Sequence, residues 1–146
     1  MAGGFYIIDH TADIGLKVWS DTCVELFEYA ALGMSSLIID PALVEGSHTL
    51  DIEIYADTIE ELLFKWLKEL LFHTNSSGIV FSSFCIQQDK FSGRNNKKYY
   101  ICSKATYDKL NIERHESCNE IKAVTRHLFK VDRGKQNWEA TIIFDL

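Results

Sequence analysis

The sequence predicts an α+β domain in two layers, two helices packed on one face of a largely antiparallel sheet. Two segments carry apolar residues at the 3.6-residue period of a helix, and the remainder is dominated by short alternating or β-branched and aromatic runs. Those runs are separated by turn residues over distances too short for crossover helices, which favours antiparallel pairing. With 146 residues, 47% of them hydrophobic, residues 1–146 form one domain around one core.

Residues 5–8 and the alternation of Ile14, Leu16 and Val18 with Gly15, Lys17 and Trp19 read as two short strands, which leaves residues 10–13 on the loop between them. Thr22 and Glu25 then form a capping box, followed by Cys23, Phe27, Ala30, Ala31, Met34 and Ile38 on one helical face. That helix ends before Asp40-Pro41. Residues 48–55 alternate strictly, with Leu50, Ile52 and Ile54 on one face and Asp51, Glu53 and Tyr55 on the other, as in a half-solvated strand.

The spacing predicts a second helix capped by Asp57 with Glu60. Ile59, Leu62, Leu63, Trp66, Leu67, Leu70 and Leu71 form its apolar stripe, and Lys65 and Lys68 lie within ion-pair reach of its glutamates. After the Ser76-Ser77-Gly78 turn, strands are predicted over 79–87, 99–105, 121–131 and 138–144. In the third of these, alternation would put Glu120, Lys122, Val124 and Arg126 on one side and Ile121, Ala123, Thr125 and His127 on the other. Residues 89–98 and 132–137 read as polar hairpin connections, and 108–119 as an irregular stretch carrying His115.

Fifteen basic against 21 acidic side chains give a net charge of −6, which disfavours direct binding to nucleic-acid backbones or anionic lipid. The apolar runs fall short of a membrane span, and the start lacks the order of a secretion signal. A soluble intracellular protein is expected. Cys23, Cys85, Cys102 and Cys118 show no C-x-x-C spacing, so reduced cysteines filling the interior are expected rather than a zinc or redox site.

Two segments at opposite ends stand out: His10-Thr11-Ala12-Asp13-Ile14-Gly15 and Ile143-Phe144-Asp145-Leu146. Brought together, Asp13, Asp145 and the terminal carboxylate of Leu146 would offer hard oxygen ligands to a divalent cation, calcium foremost and manganese or magnesium as alternatives. Alternation of Trp138, Ala140, Ile142 and Phe144 would anchor Asp145 at the end of a packed strand. The same spacing also suits a plainer role, with Asp13 capping a turn and Asp145 a solvated last residue. His10 is near enough in sequence to support the site or to be a structural histidine. No H-E-x-x-H, G-x-S-x-G, phosphate loop or G-x-G-x-x-G occurs.

These two segments resemble the archease family, together with Ala30-Ala31-Leu32-Gly33, residues 62–71, Arg114-His115-Glu116 and Ile121-Lys122-Ala123-Val124-Thr125. The motifs follow in order along nearly the whole chain. The resemblance implies a small α+β protein that is not itself an enzyme. It would act as a cofactor of the RtcB-type RNA-splicing ligase, speeding guanylylation of that ligase and sustaining multiple turnover, chiefly in tRNA splicing. It also implies a calcium-type metal bound through Asp13, Asp145 and Leu146; His10, His115 and Lys122 are, from their positions in the chain, candidate supporting or partner-facing residues. Contact with tRNA would be indirect, through the ligase, and the location cytoplasmic, or nuclear in a eukaryote. Arg126 stands where the family often has an aromatic residue, and Cys118-Asn119 where it is often charged. A general chaperone or adaptor is the alternative, and a metal-dependent hydrolase using His10, Asp13 and Asp145 a third.

Overall fold

The computed structural model describes residues 3–9, 13–90, 99–111 and 119–146. Among these residues the elements run β1 (Gly3–Asp9), β2 (Asp13–Ser20), α1 (Cys23–Ile38), a 3-10 turn (Pro41–Leu43), β3 (His48–Ala56), α2 (Ile59–Ser77), β4 (Ile79–Lys90), β5 (Tyr99–Lys109), β6 (Ala123–Arg133) and β7 (Trp138–Asp145). The class is the expected one, helices packed on antiparallel strands. The strands divide into two sheets, however, one of order β1-β2-β7-β6 and one of order β3-β5-β4. α1 packs on β1, β2 and β7 of the first and on β4 of the second, while α2 packs on β6 and on β3, β4 and β5, so each helix is shared by both sheets.

Thr22 caps α1 as expected, its hydroxyl oxygen accepting from the Glu25 amide at 3.2 Å and its hydroxyl donating to Glu25 Oε1 at 2.8 Å. α2 is capped one residue later than the spacing suggested. Thr58, not Asp57, accepts from the Glu61 amide at 3.1 Å, which starts the helix at Ile59. Gly78 closes α2 in the left-handed conformation, φ 65°, its amide donating to Thr74 O at 3.0 Å. The apolar stripe of α2 is buried from Leu62 to Leu71, and the fully enclosed Trp66 indole donates to Phe27 O of α1 at 3.0 Å. That bond joins the two helices across the core.

Two expectations fail, both through bulges. In β4 the pairing with β5 slips between Phe81 and Ser83, which reverses the inward and outward residues. Val80 and Phe81 are buried before the slip, and Cys85 emerges into solvent after it. Cys85 is therefore not interior filler, although Cys23 is; Cys118 lies outside the described residues. In β6, Thr125 pairs with Ile143 and Lys130 with Thr141, so residues 126–129 stand opposite Ile142 alone. The expected alternation over 120–127 does not hold: Ile121, which is buried, and Lys122 both precede the strand, regular pairing covers only residues 123–125 with Val124 buried, and within the bulge Arg126 and His127 are both exposed.

Candidate metal centre

β7 lies between β2 and β6, so the last strand is hydrogen-bonded to β2 as far as its first residue, Asp13. The register sets Asp13 directly opposite Asp145, and Asp145 opposite Ala123 on the other side. Facing residues of an antiparallel pair have Cβ atoms about 4.5–5.5 Å apart. Leu16 and Val18 of β2 and Ala140, Ile142 and Phe144 of β7 fill the core, which by alternation turns Asp13 and Asp145 to the opposite face of the sheet.

Like charges facing one another across a ladder are destabilising unless something lies between them. Asp13 Oδ1 is also buried, and it makes no hydrogen bond among the described residues. A buried carboxylate oxygen without a donor carries an uncompensated desolvation cost. A divalent cation would remove both penalties, and carboxylate donors suit a hard cation of the calcium class. The residues present therefore fit such an ion.

Gly15, two residues beyond Asp13 on the same face, keeps this corner open. A Cβ there would stand 3.2 Å from Ile143 Cδ1 and 3.3 Å from Ile8 Cβ, so a larger side chain would crowd the shelf beside the carboxylate. The corner is also anchored. The Lys122 amide donates to Asp145 O at 2.8 Å and the Thr125 hydroxyl to Ile143 O at 3.0 Å. One residue earlier, Ile121 O accepts from the Asn75 side chain of α2 at 3.1 Å. Asp145 is thus the ordered last residue of a strand, with the exposed Lys122 beside it.

Of the residues singled out in the sequence, the fold brings Asp13, Asp145 and Lys122 into one neighbourhood, with Leu146 following directly. His10 and His115 lie outside the described residues. Among the described residues no three His, Cys, Asp or Glu side chains form a metal-holding group. Ligands beyond the two aspartates would have to include main-chain or terminal oxygens, as the expectation for Leu146 requires. The supporting parts are Gly15, which completes the Asp13 motif, and Ala123 and Thr125 of the Ile121-Lys122-Ala123-Val124-Thr125 motif; the sequence offered them as motif members and not as parts of the site.

Residues 5–146 match a family model described as the archease protein family (MTH1598/TM1083). The chain belongs to the archease family. Over 139 residues it is 34% identical to protein archease of Pyrococcus furiosus, covering 94% of this chain and 95% of that one. It is equally 34% identical to protein archease of Methanopyrus kandleri, covering 95% and 96%. The solution structure of Methanobacterium thermoautotrophicum protein 1598 superposes with a TM-score of 0.83 at 32% identity, over 98% of this chain and 99% of that one. The crystal structure of an archease from Thermotoga maritima, described there as a possible chaperone, has the same fold at 20% identity, with a TM-score of 0.61 over 95% and 94% of the two chains. No helix among the described residues of this archease is long and apolar enough to cross a membrane.

Proposed function

We propose that this archease is a non-catalytic activator of the RtcB-type RNA-splicing ligase that promotes guanylylation and repeated turnover in tRNA splicing. It would do so in the cytoplasm, or in the nucleus of a eukaryote. The observation that carries the reading is the Asp13–Asp145 pairing with its orphaned buried oxygen. Asp13, Asp145 and the Leu146 carboxylate would hold a calcium-type ion, with manganese or magnesium as alternatives. When bound, the ion supplies concentrated positive charge for organising phosphate and carboxylate oxygens.

The chain's own residues hold that corner in shape. The Lys122 amide and the Thr125 hydroxyl fix the β7 backbone through Asp145 and Ile143, and the open position at Gly15 leaves Asp13 uncrowded. The net charge of −6 leaves RNA to the ligase, so contact with tRNA is indirect. The test is a ligation assay with catalytic amounts of ligase. Wild-type protein raises guanylylation and turnover, and Asp13→Ala and Asp145→Ala each lose roughly tenfold or more of that gain while melting cooperatively. No gain from wild-type protein would end the reading.

The description of the T. maritima relative as a possible chaperone favours a second reading, a general chaperone or adaptor. Suppression of aggregation of unrelated clients, unchanged by Asp13→Ala, would select it.

A further inference from the structure

β6 is an edge strand of its sheet, and its bulge at residues 126–129 is braced from α2. The Arg126 guanidinium donates to Glu61 Oε2 at 2.7 Å and Oε1 at 2.9 Å and lies 3.9 Å over the Phe64 ring. Phe129 meets Phe64 edge-on at 5.4 Å, and Glu60 Oε2 accepts from the Val131 amide at 3.0 Å. At the tip of this braced turn Leu128 adopts φ 55° and is 66% exposed. It is the only non-glycine residue at positive φ among the described residues.

A γ-branched side chain rarely occupies that backbone region, and here it gains no burial in exchange. A strained conformation persists only where its surroundings enforce it, and such positions concentrate at functional contacts. The surrounding charge points the same way. Residues 122–135 hold five of the chain's 15 Lys and Arg and only one of its 21 Asp and Glu. Lysines and bulges also guard an edge strand against unwanted pairing, which accounts for the charge but not for an apolar side chain held outward.

We infer that the β6 bulge docks this protein on the ligase, with Leu128 entering an apolar pocket whose acidic rim faces the surplus positive charge of this segment, in which Asp132 alone is acidic and pairs with Lys130 at 3.3 Å. The inference rests on the ligase-activator reading and supplies its contact surface. Two further points support it. The bulge begins just past Thr125, about 10 Å along β6 from the residue opposite Asp145, so docking there carries the acidic pair to the same partner. An aliphatic side chain has no flat face on which a base could stack, and Arg126 is already engaged by Glu61 and Phe64, which argues for a protein partner over RNA.

The experiment measures binding of the full chain to the purified ligase of the same organism by calorimetry, beside a guanylylation titration. Leu128→Asn and Leu128→Gly both tolerate the left-handed backbone. Each is expected to bind roughly tenfold or more weakly, with a thermal midpoint no lower than wild type and an unchanged activation plateau at saturation. Lys130→Glu should weaken binding mainly at low salt. Wild-type affinity in Leu128→Asn would overturn the inference, as would failure of wild-type protein to bind the ligase, or binding to tRNA halves that ignores Leu128. Leu128-dependent binding without any gain in guanylylation would uphold the docking surface while the activator reading falls.

Discussion

Cys23 and Cys85 are chemically identical in the sequence and opposite in the fold. Cys23 opens α1, where a helix N-terminus ordinarily lowers a thiol's pKa. Burial outweighs that effect. Loss of solvent, with a smaller contribution from Asp89, pushes the Cys23 thiol up to about 12 against the opposing pull of Arg133. Cys85 stands in solvent on β4. Iodoacetamide at mildly alkaline pH is therefore expected to alkylate Cys85 in the folded protein and spare Cys23 until denaturant is added, as read by peptide mass mapping. Comparable early labelling of Cys23 would contradict its burial. The sequence predicted interior cysteines, and the difference at Cys85 arises from the slip between Phe81 and Ser83. A bulge is a property of two paired strands, and the alternation of one strand does not display it.

At the scale of elements, the junction between α2 and β6 carries the clearest electrostatic signature. Hydrogen bonds from Arg126 hold the Glu61 carboxyl below its ordinary value of 4.5, with Lys65 and Lys68 adding smaller pulls. A carboxyl whose folded pKa is depressed contributes stability that is present above the unfolded value and is lost as pH falls through the folded one. Wild type should thus lose more stability than Glu61→Gln between neutral pH and about pH 3, measured as urea midpoints. The difference should be modest because both side chains are partly exposed. Identical acid limbs for the two proteins would contradict the pairing. α2 itself was legible almost residue by residue, since an apolar stripe over so many turns has one reading. Its cap was displaced by one position because Asp57 and Thr58 are both competent caps. The partner of Glu61 was invisible, because Arg126 reaches it only through a bulge formed by the whole sheet.

For the whole molecule, the decisive event is insertion of β7 between β2 and β6, which makes neighbours of the first and last acidic motifs. Nothing local in either segment dictates this. Alternation anchored the final strand and hard-ligand chemistry paired the aspartates as an option, while the order of motifs shared with other archeases pointed to the arrangement. The division into two sheets with both helices shared was likewise outside local reach, since strand order depends on long-range pairing. The most direct test is thermal melting of chelator-treated protein with and without calcium. Wild type should melt roughly 5–10 °C higher at a hundredfold excess over Kd. Asp13→Asn and Asp145→Asn should show no such shift, yet melt at or above wild type without the ion because the facing charges are relieved. A wild-type midpoint indifferent to millimolar calcium, manganese and magnesium, or a full shift retained by Asp13→Asn, would contradict a cation site at this pair.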